Sequence, residues 1–261
     1  MTELAHIAVT GAAGAIGAAL ARVLAARHGR ARLSLIDVDL PPAERLAGEL
    51  GGRATAHRWD LAEPERLADQ LGELVRRRGP VDGLVNCAGV MDVGWFAGTE
   101  WNDARRLMDI DLVSPLRLMS LVAPGMIERG GGAIVNLTSM AGRTPLRGCA
   151  YYGAAKAGLA MASEIAHLEL AARGVAVVTV YPGPVSSSLE RRARANLAGG
   201  RIARMAPVGD AAVLARRIVR ALDRGQPRVI YPALYAAADR ALGVTRWVTG
   251  RFSPAPIAPP P

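Results

Sequence analysis

Hydrophobic positions along the chain fall into two alternating patterns. Short apolar runs occur at His6–Val9, Arg32–Ile36, Ala54–Arg58, Gly83–Val85, Ala133–Leu137, Val175–Val180 and Arg228–Ile230. Several are apolar at consecutive positions, as expected of strands covered on both faces. Between them, apolar residues recur at helical spacing near Ala15–His28, Ala43–Leu50, Pro64–Arg78, Asn102–Glu128, Tyr151–Arg173 and Asp210–Arg224. Gly29, Gly51, Gly79, Gly130 and Gly174 stand where those helices should stop, because glycine readily takes the left-handed conformation that closes a helix. This alternation predicts an α/β fold: a single Rossmann-like, doubly wound domain with a parallel sheet of about seven strands flanked by helices.

No internal repeat or linker interrupts residues 1–250, so residues 1–252 are read as one domain with a lid at about 184–207. Residues 253–261 hold five prolines and are expected to form a disordered tail.

Composition narrows the function classes. Hydrophobic residues make up 51% of the 261, enough to bury a sizeable core. Cys87 and Cys149 form neither a disulfide framework nor a metal-ligand spacing. His6, His28, His57 and His167 show no paired ligand spacing, so no metal is expected. Thr2 to Val9 runs straight into a strand and a glycine loop without a leader, and the cysteine usage suits a reducing cytoplasm. No apolar run was expected to reach the ~20 residues that span a bilayer. The net charge of +9 comes from arginines such as Arg22, Arg45, Arg66 and Arg105, set singly on helix faces. No groove-reading motif accompanies them, so nucleic acid is not expected as a partner.

The candidate chemistry begins where the first strand ends, at Thr10-Gly11-Ala12-Ala13-Gly14-Ala15-Ile16-Gly17. A glycine turn between a strand and a helix lets backbone approach a pyrophosphate, whose charge then sits on the helix N-terminus. Asp37 ends the second strand, 20 residues after Gly17. A carboxylate there accepts from adenosine ribose hydroxyls and repels a 2′-phosphate, and no lysine or arginine occurs at Ala12, Ala13 or Val38. NAD is thus favoured over NADP. Asp60-Leu61 and Asn86-Cys87-Ala88-Gly89 follow the third and fourth strands, at the sheet edge where such folds bind ligands. Cys87 reads as a packing residue.

Tyr152 and Lys156 are four residues apart and share a helix face. A free phenol has a pKa near ~10 and is a poor base, but a neighbouring ammonium and a cationic nicotinamide both favour phenolate. Ser139 lies 13 residues earlier, just past a strand, where a hydroxyl can hold a substrate oxygen. Tyr151 is the competing phenol, with Ala155 rather than a cation four residues on.

On these residues the chain resembles the short-chain dehydrogenase/reductase family over roughly residues 4–232, through Thr10–Gly17, Asp37, Asp60, Asn86–Gly89, Ser139, Tyr152, Lys156 and Pro182-Gly183-Pro184-Val185. The resemblance implies an oxidoreductase that interconverts a secondary alcohol and a ketone with NAD(H). Tyr152 would be the general acid/base, Lys156 its pKa modulator and Ser139 the clamp on the substrate oxygen. Gly11, Ala13, Gly14, Ile16, Gly17, Asp37, Asp60, Leu61, Asn86, Ala88 and Gly89 would hold the cofactor together with Tyr152 and Lys156. Pro182, Gly183, Val185 and Ser187 would line its nicotinamide end, with Ser187 where the family commonly has threonine. It also implies a homodimer or homotetramer formed through Asn102–Glu128 and Tyr151–Arg173.

One departure stands out. Asp111 occupies the place where many relatives have an asparagine thought to hold a helix distortion and a water linked to the lysine. An ionised aspartate keeps the acceptor, loses the amide donor and offsets part of the lysine's field. Activity at higher pH than in asparagine-bearing relatives is the expected result.

Candidate pocket walls are Met91, Val93, Trp95, Phe96, Thr144, Leu146 and Tyr151, a mostly apolar set suggesting a hydrophobic substrate. In the lid, Leu189, Ala193, Leu197, Ile202 and Met205 alternate with Arg191, Arg192, Arg194, Arg201 and Arg204. That pattern reads as an exposed basic face, with steering of an acidic substrate as the alternative. Residues 235–252 combine apolar and arginine positions. Packing on a subunit neighbour is expected there in preference to a membrane surface, since Gly243 and Gly250 interrupt the pattern. Two other functions stay open: a lyase, epimerase or dehydratase with tightly held cofactor, and a catalytically inert NAD-binding regulator.

Overall fold

The computed structural model describes residues 4–197 and 207–257. Seven parallel strands form one sheet: β1 (His6–Thr10), β2 (Arg32–Asp37), β3 (Ala54–Arg58), β4 (Gly83–Asn86), β5 (Gly132–Leu137), β6 (Val175–Pro182) and β7 (Arg228–Tyr231). Their spatial order is β3-β2-β1-β4-β5-β6-β7. The chain winds outward from β1 to β3, then returns to the other side at β4. The strand order therefore reverses between β1 and β4, where a crevice for ligands opens at the carboxyl ends.

Alternation along the strands divides the core into two layers. Ile7, Val9, Leu33, Leu35, Val135 and Val180 face α1 (Ala15–Arg27) and α8 (Ala211–Asp223), packing on Leu20, Leu24, Leu214 and Ile218. Ala8, Ile36, Leu84, Ile134 and Val177 face the other way, toward Leu67 and Leu71 of α3 (Leu67–Arg78) and toward Leu118, Val122 and Met126. His6 sits in the middle of this apolar sheet with no exposure. It is tolerated because Nδ1 bonds the Gly79 carbonyl at 2.8 Å and Nε2 bonds Ser34 Oγ at 2.8 Å.

The stretch expected as one helix over Asn102–Glu128 is a composite: α4 (Trp101–Met108), a π turn (Asp109–Val113) and α5 (Ser114–Glu128). Pro115 has no N–H to give the Asp111 carbonyl four residues back. The Ser114 N–H bonds Asp109 O, five residues back, which widens the turn around Asp111. Taken as one rod, Trp101–Glu128 is long and apolar enough by composition to cross a membrane, contrary to the expectation that no such run exists. Its apolar residues Leu107, Ile110, Leu118, Met119, Val122 and Met126 are buried within the fold, which accounts for that composition.

Helices α2 (Leu40–Leu50) and α6 (Ala150–Leu170) complete the layers, and α7 (Ser188–Ala195) lies in the stretch expected as a lid. The lid positions Arg201, Ile202, Arg204 and Met205 lie outside the described residues. After β7 the chain forms α9 (Ala233–Arg240) and α10 (Leu242–Phe252). The proline-rich end departs from the expected free tail as far as residue 257. Ser253 is buried, Pro256 bridges Leu197, and the Ile257 N–H bonds the Asn196 carbonyl at 3.0 Å.

Candidate active site

The glycine turn is shaped by close backbone approach. Gly11 has φ +66°, and a Cβ on it would lie 2.6 Å from Ala88 Cα. A Cβ on Gly17 would lie 2.1 Å from the Gly11 carbonyl oxygen, so α1 can start against the loop only with glycine there. Gly14 is the N-cap of α1 and brings no side chain to its first-turn amides. Those donors and the helix dipole suit a pyrophosphate. Thr10 Oγ1 accepts from the Cys87 and Ala88 N–H groups at 3.1 and 3.2 Å, tying the β1 turn to the loop after β4. Cys87 is half-buried, and burial pushes its thiol up to about 12.

Asp37 is fixed at the end of β2. Its Oδ2 accepts from Ala13 N at 2.8 Å and its Oδ1 from Asp39 N at 3.0 Å. Each carboxylate oxygen has a second lone pair left for a ribose hydroxyl. The parallel register sets Arg58 of β3 opposite Asp37. Sequence reasoning missed this arginine, because 21 residues separate the two and only strand pairing brings them abreast.

Other expected cofactor residues also make contacts within the protein itself. Asn86 is 2% exposed and turns its side chain inward, Nδ2 donating to Asn136 Oδ1 at 2.8 Å and lying 3.4 Å from the Pro115 carbonyl. It fastens β4 to β5. The Leu61 side chain is in the core, and its carbonyl accepts from Ser114 Oγ at 2.6 Å. Asp60 uses Oδ1 to accept from Ala62 N at 2.9 Å, while Oδ2 lies 3.5 Å from the Arg106 guanidinium. Ser187 Oγ accepts from Glu190 N at 3.0 Å as the N-cap of α7. A serine before a helix supports both capping and ligand contact, and sequence alone does not separate them. Val185 is buried and bridges Gly209. Gly183 lies under the Tyr235 ring, 2.6 Å from where its Cβ would be, a neighbour the sequence did not suggest.

The chemical residues converge where β4, β5, the π turn and α6 meet. Tyr152 and Lys156 lie one turn apart on α6, with Nζ 5.9 Å from the phenol ring centre. The Ser139 hydroxyl is close enough to the Tyr152 phenol to lower its pKa, and its Oγ accepts from Ala141 N at 3.1 Å. Lys156 Nζ donates to the Leu137 carbonyl at 3.2 Å and stands 3.3 Å from Asp111 Oδ2, with both side chains buried. Asp111 Oδ1 accepts from Val90 N at 2.8 Å. Oδ2 is near enough for an ion pair but outside hydrogen-bond alignment. Gly89 completes the floor: a Cβ there would come within 3.3 Å of both Asp111 Oδ1 and Lys156 Nζ.

Burial and charge set the protonation balance. Burial raises the Tyr152 phenol; Lys156 pulls it down, Asp111 pushes it up, and the nearby Ser139 hydroxyl lowers it. The net direction is upward, so in the protein alone burial outweighs the ammonium that was expected to favour phenolate. Burial opposes the charge on Lys156, but Asp111 and Tyr152 together hold its pKa above the ordinary value. Burial likewise raises the Asp111 carboxyl against the opposing pull of Lys156.

Beside this group is a small recess of about 20 Å³, lined by residues including Asp92, Phe96, Thr99, Leu107, Tyr151 and Tyr152. Tyr151 stacks on Phe96 with ring centres 5.4 Å apart, so the second phenol serves as a wall.

A nucleotide crevice on a doubly wound sheet, with a phenol, an ammonium and a hydroxyl at one strand edge, defines a dinucleotide-dependent oxidoreductase. The family profile described as short chain dehydrogenase matches residues 5–198. D-threitol dehydrogenase of Mycolicibacterium smegmatis is 33% identical over 77% of this chain and 78% of its own length. Cyclohexanol dehydrogenase of an Acinetobacter species is 31% identical over 69% and 73%. A short-chain dehydrogenase from Sphingobium yanoikuyae, solved in complex with NADPH, superimposes with a TM-score of 0.80 at 28% identity, covering 98% of this chain and 99% of that one. The chain belongs to the short-chain dehydrogenase family of oxidoreductases.

Proposed function

We propose that the protein interconverts a hydrophobic secondary alcohol and its ketone with NAD(H). The observation that carries the reaction is the grouping of buried Tyr152 and Lys156, with Nζ 5.9 Å from the ring centre, beside the half-buried Ser139 hydroxyl. The nicotinamide, when bound, accepts or delivers the hydride. Ser139 and Tyr152 hold the substrate oxygen between two hydroxyls, and Tyr152 Oη takes the alcohol proton in oxidation or returns it in reduction. Lys156 keeps a positive charge beside the phenol and so favours its ionised form during transfer. Phe96, Leu107 and Tyr151, which line the recess together with Asp92 and Thr99, support a hydrophobic substrate.

The cofactor choice rests on Asp37, whose fixed carboxylate suits a free ribose 2′-hydroxyl. Arg58 supports the competing choice, since a guanidinium opposite Asp37 could pair a 2′-phosphate, and the Sphingobium relative was solved with NADPH. Tryptophan-to-nicotinamide energy transfer with NADH and NADPH tests both. Tighter NADH that reverts toward NADPH in Asp37→Asn supports the proposal. Tighter NADPH that weakens in Arg58→Ala reverses the cofactor assignment, and binding of neither ends the dehydrogenase reading. Exposed Val113, Met161, Ile165 and Leu168 on the π turn and α6 support assembly as a homodimer or homotetramer.

A further inference from the structure

The family match ends at residue 198, yet the chain after β7 closes on three segments of the active site. Arg246 Nη1 donates to the Arg143 carbonyl at 2.9 Å, and the Arg143 guanidinium pairs with Asp239 of α9. The Tyr235 ring covers Gly183. The densest contact is made by Arg147, two residues before Cys149 at the head of α6. Its guanidinium donates to the carbonyls of Ser253 at 3.2 Å, Gly250 at 3.2 Å and Arg251 at 3.4 Å. Its backbone N–H lies 3.4 Å from the buried Ser253 Oγ.

These carbonyls end α10, where the last turn has no intrahelical donors left. A guanidinium supplies several donors at once, and its charge complements the negative end of the helix. Arg147 thus acts as the C-terminal cap of α10, reached from the catalytic loop. The chain beyond then runs back over that loop. Pro256 Cγ lies only 2.7 Å from where a Cβ on Gly148 would stand, and Gly148 has φ +78° and lines the substrate recess. One residue further, Ile257 N bonds Asn196 O at 3.0 Å, just past the lid helix α7.

We propose that residues 253–257 form a specificity-determining strap, with Arg147 as its positioning residue. Arg147 holds the end of α10 so that Pro256 seats on Gly148 and Ile257 fastens the start of the lid, fixing the width of the recess. This rests on the oxidoreductase reading above and adds to it the element that selects substrate.

The test uses the full chain, Arg147→Ala, Arg147→Lys, Pro256→Gly and a chain ending at Phe252. Hydrogen exchange is followed over 188–197 and 144–150, with 6–37 as the reference. Loss of the strap should speed exchange in the first two segments by about tenfold and leave the reference unchanged. With cyclohexanol as probe, KM should rise by about tenfold while kcat stays within about threefold and NADH and NADPH Kd within about twofold. Arg147→Lys should fall between parent and Arg147→Ala, because one ammonium replaces a guanidinium fork.

Unchanged exchange over 188–197 in the shortened chain overturns the proposal. So does a global rise in exchange with loss of cofactor binding in Pro256→Gly, which assigns the contact to stability alone. If the parent leaves cyclohexanol untouched, the exchange comparison decides by itself. A parent that binds neither cofactor ends the oxidoreductase reading, while the exchange result still stands for or against the strap.

Discussion

Replacing Asp111 with asparagine removes one charge from the least solvated part of the site while keeping its shape. The amide oxygen can still accept from Val90 N, so the π turn keeps its fastening. The lost charge is 3.3 Å from Lys156 Nζ, which is itself 5.9 Å from the Tyr152 ring centre. Together these distances put the carboxylate oxygen within about 9 Å of the ring, where a unit charge at an effective permittivity of ~20 contributes about 1.8 kcal/mol. That corresponds to between about 1 and 1.5 pH units on the phenol. The sign follows from the charges: an anion raises the phenol pKa, so its removal lowers it. Part of the effect is returned, because Lys156 loses the partner that holds its charge against burial. The expected outcome is a fall of about one unit in the Tyr152 pKa. It is measured from tyrosinate ultraviolet absorbance as the difference from a Tyr152→Phe background. The acid limb of kcat/KM for alcohol oxidation should move down with it. A titration that superimposes on the parent, or moves to higher pH, with thermal stability preserved, would refute the electrostatic role given to Asp111.

Three further outcomes are expected. Tyr152→Phe should lower kcat by about 10²–10⁴-fold with cofactor Kd unchanged; activity within tenfold of the parent in steady-state assays would remove Tyr152 as the acid/base. Gly17→Ala places a Cβ 2.1 Å from the Gly11 carbonyl, so NADH and NADPH Kd should both weaken by about tenfold or more and Tm should fall; retained affinity would show that the loop can open at no cost. His6 is held below its ordinary pKa mainly by burial. The unfolded chain takes up a proton near pH ~6.5 that the folded chain resists, so this stability is complete above that pH and is lost as pH falls toward the folded-state pKa. Calorimetry from pH 7 to pH 5 should show a smaller drop in Tm for His6→Gln than for the parent, and an equal drop would assign the pH dependence elsewhere.

Much of this fold was legible in the sequence because parallel strands covered on both faces have little choice of side chain. Ile7 to Val9 and Ile134 to Val135 are apolar on consecutive positions for that reason. Tyr152 and Lys156 were legible because one helix carries both at a fixed spacing. Residues joined only by tertiary geometry were not. Arg58 comes abreast of Asp37 through strand register. The Asp111–Lys156 pair depends on a π turn whose cause, Pro115, looks in sequence like an ordinary start of a helix. The inward turn of Asn86 needs Asn136, 50 residues away. The packed end of the chain was the hardest to foresee. Arg147 holds it through backbone carbonyls of Gly250, Arg251 and Ser253, and a carbonyl carries no residue identity. A proline-rich segment lacks the periodicity that marks a buried face, yet a proline apart from any helix can seat on a glycine if an arginine brings it there. The same physics separates the two halves of the site. Chemistry that must act on any alcohol is built from side chains at fixed spacing. The contacts that narrow the recess run through backbone, where the sequence leaves few marks.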